Sequence, residues 1–133
     1  MNAKAAYLDT SAFVKLIVEE PESKALKEYL LSWPNRVSST LLRTETTRAL
    51  RRSGNDKLIG KSRRMFGAVH LIRLDEPLLD RAGDLEPVEL RSLDAIHLAT
   101  ALSISSDLGV LFTYDDRLGE AAVSQGLYVE SPS

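Results

Sequence analysis

Short apolar runs alternate with amphipathic stretches along the chain. Runs with the length and composition of strands are KAAYLD (4–9), RVSS (36–39), VHLIRLD (69–75), GVLFTYD (109–115) and LYVES (127–131). Between them, apolar residues recur at the three- and four-residue spacing of helices. Strands that alternate with helices are typical of βαβ units. The pattern therefore predicts an α/β fold with a parallel sheet covered by helices on both faces.

The helices are bounded by breaks in the apolar pattern and by turn residues. We predict helices at 11–20 (ended by Pro21), 22–33, 40–53 (stopped by Gly54), 56–69, 76–85 (opened by Pro77), 92–105 (capped by Ser92) and 116–126. No repeat, low-complexity tract or linker interrupts this order. We therefore expect one domain over residues 1–133, a usual size for a single core.

Composition narrows the class of protein. The chain has no cysteine, which excludes disulfides and thiolate metal sites and fits a reducing compartment. No apolar run approaches the ~20 residues that cross a membrane, and the first apolar run meets Asp9 too soon for a signal-peptide core. A cytoplasmic protein is the expectation.

Charge is unevenly distributed although the net charge is only −2. Eight basic residues fall within one short segment, opposed only by Glu45 and Asp56: Arg43, Arg48, Arg51, Arg52, Lys57, Lys61, Arg63 and Arg64. Such a segment is typical of a polyanion-binding surface or of two solvated helix faces, and charge alone leaves both interpretations open.

Four acidic residues are expected at one edge of the predicted sheet. Asp9 and Asp115 end strands, whereas Glu45 and Asp94 lie in the first turns of helices. The carboxyl ends of parallel strands and the starts of the following helices share one edge, where α/β proteins bind ligands. For Asp9 alone, an N-cap of the next helix is an equally good interpretation.

Helix phase turns two of these acids inward. Glu45 shares a stripe with Leu42 and Ala49, and Asp94 shares one with Leu98 and Ala101. Two like charges ~4 Å apart repel by about 4 kcal/mol at an effective dielectric constant near 20. Converging carboxylates therefore need protons or a divalent cation, and an all-oxygen site suits Mg²⁺ or Mn²⁺. Such an ion beside a basic surface is the arrangement expected of a nuclease.

Four segments together resemble a known family. YLDTSAFVKL, RTETTRALRR, LRSLDAIHLATAL and LFTYDDRL, in this order and at this spacing, resemble the PIN-domain ribonucleases, and most closely the toxins of VapBC toxin–antitoxin systems. The resemblance covers nearly the whole chain. It implies a three-layer α/β/α fold with four or five parallel strands, and Mg²⁺- or Mn²⁺-dependent endonucleolytic cleavage of RNA. It also implies a VapB-type antitoxin partner and a homodimer.

The resemblance also assigns roles to individual residues. Asp9, Glu45, Asp94 and Asp115 match the four acids of the family's catalytic and metal site, and Asp115 follows the family's T-x-D pattern. Ser11 and Thr113 match small polar positions that line such sites, or else make strand-end and cap hydrogen bonds. For RNA binding we name the basic residues of one helix: Arg43, Arg48, Arg51 and Arg52.

Other polar residues have simpler interpretations. Asp75 precedes a helix opened by Pro77 and is interpreted as its cap. Asp116 is an alternative to Asp115, but the strand end favours Asp115. His97 lies three residues after Asp94, as a packing histidine or as a partner of the site.

Three other classes of protein fit the sequence less well. A receiver domain needs an acidic pair after the first strand and a lysine after the fifth. A haloacid-dehalogenase phosphatase needs a D-x-D motif where this chain has Asp9-Thr10-Ser11. A binding scaffold without catalytic activity has no use for four converging carboxylates.

Overall fold

The computed structural model describes residues 4–133, in which strands and helices alternate. The strands are β1 (Ala5–Leu8), β2 (Arg36–Ser39), β3 (His70–Ile72), β4 (Leu108–Phe112) and β5 (Val129–Glu130). The helices are α1 (Thr10–Lys15), α2 (Ser23–Leu30), α3 (Leu41–Arg52), α4 (Ile59–Met65), α5 (Glu76–Gly83), α6 (Ser92–Ser103) and α7 (Asp116–Ser124). Single 3₁₀ turns flank α4 on both sides.

The five strands form one sheet in the order β3-β2-β1-β4-β5, and every pairing is parallel. β1 lies at the centre and is fully buried, as expected of a strand covered on both faces. The parallel α/β sheet predicted from the alternation of strands and helices is confirmed, with five strands.

Helices cover the sheet on both sides because successive residues of each strand point to opposite faces. Ala6 and Leu8 pack with Phe13, Leu26 and Leu42 in a core formed with α1 to α4. On the other face, Ala5 and Tyr7 pack with residues of α6 and α7. A smaller cluster joins α5 to α6. The result is a three-layer α/β/α arrangement.

The predicted boundaries needed correction at several elements. The helix expected at 11–20 ends at Lys15, because the chain turns there to bury Ile17 and to place Ser23 Oγ on the carbonyl of Val18 at 3.2 Å. The segment 56–69 is broken by 3₁₀ turns into a short α4. The strands predicted at 69–75 and 109–115 are shorter, His70–Ile72 and Leu108–Phe112, since their last residues serve as connections to the next helix.

Helix caps were predicted with mixed success. Asp75 caps α5 by accepting the backbone N–H of Leu78 at 2.9 Å, as expected. The cap expected at Ser92 is wrong: Arg91 takes that position, without a side-chain hydrogen bond, and Ser92 is the first helical residue. Within residues 4–133, none of the helices has the length and apolar character needed to cross a membrane.

Candidate active site

The four acidic residues expected at one edge of the sheet line a single cleft of about 430 Å³. Asp9 follows β1, Glu45 lies in α3, Asp94 lies in the first turn of α6, and Asp115 precedes α7. Three basic side chains, Lys15, Arg52 and Arg91, line the same cleft. Asp116 is exposed in α7 and is not part of the lining.

Asp9 is at once a helix cap and a cleft residue. Its side chain is 3% exposed, and Oδ1 accepts the backbone N–H of Ala12 at 2.9 Å, which caps α1. Ser11 Oγ donates to Oδ1 at 2.7 Å, and Thr113 Oγ1 donates to Oδ2 at 2.5 Å. Burial raises the pKa of Asp9, opposed by the nearby His97 charge and by these hydrogen bonds. Both interpretations of Asp9 made from the sequence therefore fit the geometry.

The two small polar residues named with Asp9 have different positions. Ser11 lines the cleft and also accepts the backbone N–H of Tyr114 at 2.9 Å. Thr113 is 1% exposed and lies outside the lining of the cleft. Its hydroxyl donates a hydrogen bond to Asp9 and accepts the backbone N–H of Asp115 at 3.0 Å. Thr113 thus connects two of the acids from inside the protein.

Glu45 is held from one side. Thr10 Oγ1 donates to Glu45 Oε1 at 2.6 Å, and His97 Nε2 lies 2.7 Å from the same oxygen. Burial alone raises the pKa of Glu45, but the His97 hydrogen bond and charge and the Thr10 hydrogen bond hold it below its usual value. Glu45 is therefore ionised at neutral pH.

Asp94 and Asp115 both form ion pairs with the guanidinium of Arg91. Arg91 Nε lies 3.3 Å from Asp94 Oδ2, and its terminal nitrogen lies 3.2 Å from Asp115 Oδ2. Asp115 also caps α7 by accepting the N–H of Leu118 at 2.9 Å. Burial and the negative charge of Asp115 raise the pKa of Asp94, although Arg91 opposes them. The Arg91 side chain is 70% exposed, so solvent weakens this compensation.

His97 takes both of the roles considered for it. It is 2% exposed and packs edge-on against Tyr7, with ring centroids 5.8 Å apart. The Tyr7 hydroxyl lies 2.7 Å from Nδ1, while Nε2 faces Glu45. It is therefore a packing histidine that also contacts a cleft carboxylate.

Sequence reasoning missed Thr10, Tyr7 and Arg91 as members of this network. Thr10 adjoins Asp9, and Arg91 precedes Asp94 at the three-residue spacing of a helix pair, so local signals existed for both. The contact between Tyr7 and His97 joins residues 90 positions apart and has no local signal.

The four arginines named for RNA binding all lie on α3 but face different parts of the surface. Arg52 lines the acidic cleft. Arg43 and Arg48 border a separate groove with Arg63, where the Arg43 guanidinium lies 4.9 Å from the ring centre of Phe66. Arg51 is exposed on the same helix. Within residues 4–133, none of these four side chains forms an ion pair.

The donors of the cleft fit a hard divalent cation by their chemistry. They include the oxygens of four carboxylates, a kind of ligand that Mg²⁺ and Mn²⁺ prefer. Asp94 is incompletely compensated, as its raised pKa indicates. In the described part of the chain, no three acidic or histidine side chains stand close enough together to share one ion, and Arg91 holds Asp94 and Asp115 instead. An ion at this site would therefore compete with Arg91 for two carboxylates.

The fold and the acid-lined cleft define a class of protein, and comparison with known protein families identifies that class. Residues 6–124 match the PIN domain family, and the chain therefore belongs to it. Ribonuclease VapC46 of Mycobacterium tuberculosis is 52% identical over 129 residues, covering 97% of this chain and 98% of its own length. Within the PIN domain family, the chain thus belongs with the VapC ribonucleases.

Solved structures share the fold at low sequence identity. VapC20 of Mycobacterium tuberculosis, described as a sarcin–ricin loop cleaving toxin, superposes with a TM-score of 0.75 at 18% identity. That superposition covers 97% of this chain and 100% of VapC20. A toxin–antitoxin complex from Klebsiella pneumoniae contains a chain with a TM-score of 0.72 at 21% identity, covering 97% of this chain and 98% of its own.

Proposed function

We propose that this protein is the toxin of a type II toxin–antitoxin pair and that it cleaves RNA phosphodiester bonds in a reaction that depends on Mg²⁺ or Mn²⁺. Asp9, Glu45, Asp94 and Asp115 are the catalytic and metal-binding residues. The observation that carries the proposal is their convergence, from four separate elements, on one cleft in a PIN domain.

Each acid has a distinct position in the proposed site. Asp9 lies deepest and is fixed by Ser11, Thr113 and the start of α1. Glu45 is fixed at Oε1 by Thr10 and His97. These residues are pre-organised because their hydrogen bonds exist before any ligand binds, so little ordering remains to be done in the reaction.

Asp94 and Asp115 form the outer side of the cleft. A divalent cation bound among these carboxylates would lower the pKa of water and stabilise the negative charge that develops on the phosphate. The cation would then replace Arg91 as the partner of Asp94 and Asp115, and both ion pairs of Arg91 would break. Its exposed guanidinium would remain at the entrance of the cleft, as a donor to an RNA phosphate.

The basic residues of α3 supply the proposed contacts to the RNA backbone. Arg52 lines the cleft, Arg43 and Arg48 border the separate groove, and Arg51 is exposed on the same helix. Contacts of this kind position a nucleic acid without reading its sequence. The negatively charged RNA backbone is therefore attracted toward the cleft by these positively charged side chains.

We propose a VapB-type antitoxin and a second copy of this chain as the protein partners. The support is the membership among VapC proteins and the likeness to the chain in the toxin–antitoxin complex of Klebsiella pneumoniae. An antitoxin that presents a basic side chain to the acidic cleft would block it.

The test is cleavage of total RNA by the purified chain with Mg²⁺, with Mn²⁺ or with EDTA. We expect discrete fragments that require metal. Asp9→Asn and Asp94→Asn should each lower the rate by about a hundredfold or more, since even the outer partners of a metal site are worth roughly 10–100-fold. Asp107→Asn, an exposed carboxylate that precedes β4 at the opposite edge of the sheet, is the matched control and should cleave normally.

Two results would overturn the proposal. One is undiminished cleavage by both Asp9→Asn and Asp94→Asn. The other is cleavage by the wild-type protein that persists in EDTA. Sequencing the fragment ends in the same experiment identifies the RNA and the bond that is cut.

A further inference from the structure

A buried chain of hydrogen bonds connects the core of the protein to one carboxylate of the cleft. It runs from the Tyr7 hydroxyl to His97 Nδ1 at 2.7 Å, and from His97 Nε2 to Glu45 Oε1 at 2.7 Å. Tyr7 is fully buried and His97 is 2% exposed, whereas Glu45 reaches the cleft. Tyr7 lies outside the cleft lining, and His97, which borders the cleft, has no oxygen in its side chain, so the proposed function leaves both without a role.

The network itself determines which ring nitrogen of His97 carries the proton. A carboxylate can only accept a hydrogen bond, so Nε2, 2.7 Å from Glu45 Oε1, carries a hydrogen and donates it. The Tyr7 hydroxyl forms a hydrogen bond with Nδ1 at 2.7 Å on the other side of the ring. The hydroxyl of Tyr7 at Nδ1 thus holds the His97 ring with its Nε2–H toward Glu45.

Both donors to Glu45 reach the same oxygen. Thr10 and His97 each contact Oε1, and no hydrogen bond within residues 4–133 involves Oε2. Two donors that converge on one oxygen fix the side-chain torsions of a glutamate. They also leave its second oxygen available to the cleft.

We propose that Tyr7 and His97 are positioning residues that hold Glu45 with Oε1 occupied from within and Oε2 presented to the cleft. The inference rests on the proposed function, because it takes Glu45 as a ligand of a divalent cation. Outer-shell partners of this kind orient a ligating group and contribute roughly 10–100-fold to metal affinity or activity.

The test uses two substitutions of His97 that differ in where they place a donor. In His97→Gln the side-chain amide extends about as far as Nε2 and can still donate to Glu45. In His97→Asn it extends only about as far as Nδ1, so Glu45 loses one of its two donors while polarity and burial stay similar. Tyr7→Phe keeps the ring and removes only the hydroxyl. Ser62→Ala, which removes a buried hydroxyl bonded to the Ile59 carbonyl in α4, is the control away from the cleft.

Two readouts are compared: the affinity for Mn²⁺ by calorimetry without RNA, and kcat and KM for RNA cleavage. We expect His97→Asn and Tyr7→Phe to bind Mn²⁺ about tenfold more weakly and to lose kcat with little change in KM. His97→Gln should recover most of both losses, and Ser62→Ala should match the wild-type protein. The recovery separates orientation of Glu45 from a packing role, which both His97 variants would disturb alike.

Equal losses in His97→Asn and His97→Gln would overturn the inference, as would wild-type Mn²⁺ affinity in His97→Asn. The His97 pair decides the question even where Tyr7→Phe fails to fold. Failure of the proposed function looks different, because the wild-type protein would then bind no Mn²⁺ or Asp94→Asn would bind it normally. Wild-type binding that is lost in Asp94→Asn but kept in His97→Asn refutes the positioning role alone.

Discussion

Single residues of the cleft serve the fold and the proposed chemistry with the same atoms. Asp9 caps α1, and Asp115 caps α7, through the carboxylates that line the cleft. An asparagine keeps an oxygen for the backbone N–H and removes the charge, and it is an equally good cap. Substitution by asparagine therefore separates the two roles, whereas alanine removes both.

At this scale, Asp94→Asn should change how the stability of the metal-free protein depends on pH. A carboxyl whose folded-state pKa is raised binds more protons folded than unfolded, so its contribution to stability falls as pH rises through the interval between the two pKa values. The variant lacks this decrease. Its melting temperature should equal that of the wild-type protein at low pH and exceed it increasingly toward neutral pH.

Thermal unfolding in EDTA across this pH range measures the effect. Glu45→Gln provides the opposite case, because the pKa of Glu45 is lowered and its ionised form is stabilising. Glu45→Gln should therefore melt below the wild-type protein at neutral pH. A melting temperature of Asp94→Asn below that of the wild-type protein at neutral pH would contradict the repulsion between Asp94 and Asp115.

At the scale of elements, the strand-to-helix connections bring the cleft together. β1 and β4 are neighbours, and each is followed by a helix whose N-cap is an acid of the cleft. An aspartate N-cap also occurs at α5, where Asp75 caps the helix. Asp75 is exposed and lies outside the cleft lining, so its carboxylate stabilises the helix alone.

Asp75→Ala should therefore destabilise the protein without affecting RNA cleavage. Removal of an N-cap costs about 1 kcal/mol, which corresponds to roughly 4 °C in melting temperature for a chain of this size. Asp75→Asn should restore stability. Asp80→Ala, an exposed aspartate further along α5, is the control for the removal of charge and should stay close to wild type. Equal melting temperatures for Asp75→Ala and Asp80→Ala would exclude a capping contribution.

The agreement between sequence and structure was best where local chemistry decides the outcome. The apolar runs predicted the parallel sheet, and Asp75 was identified as a cap from its place before a proline-opened helix. The first helix was predicted too long because burial of Ile17, a tertiary effect, ends it at Lys15.

The cleft was predictable in its acids but less so in its supporting contacts. The acids follow from strand ends and helix starts, which topology brings to one edge. Tyr7 and Arg91 depend on contacts with other elements: Tyr7 with His97 in α6, and Arg91 with Asp115 before α7. No spacing in the sequence indicates these two pairs, whereas the contact of Arg91 with Asp94 has the three-residue spacing of a helix pair.

At the scale of the whole molecule, charge is separated into an acidic cleft and a basic surface beside it. The basic residues of α3 and α4 are exposed, and within residues 4–133 none of them forms an ion pair. Cations without a carboxylate partner retain their attraction for phosphates. The net charge of −2 therefore conceals a surface suited to a polyanion.

Removing two of these charges should weaken RNA binding and its dependence on salt. For a single strand, each phosphate interaction that is removed lowers the slope of log affinity against log salt by about 0.7. Arg48→Ala combined with Arg51→Ala should thus lower the slope by about 1.4 in magnitude. The measurement is fluorescence anisotropy with a labelled, unstructured single-stranded RNA oligonucleotide, in an Asp94→Asn background with EDTA. The double substitution Lys24→Ala and Lys27→Ala on α2 is the control. An unchanged slope in the arginine variant would show that Arg48 and Arg51 do not contact RNA phosphates.

The strand order has a consequence for synthesis. The central strand β1 leaves the ribosome well before one of its two neighbours, β4, which begins only at Leu108. The acids of the cleft are spread over positions 9, 45, 94 and 115. A nascent polypeptide that has not yet extruded residue 115 therefore holds no assembled cleft. With this topology, the proposed cleavage of RNA would begin only after residue 115 has been synthesised, without help from any other molecule.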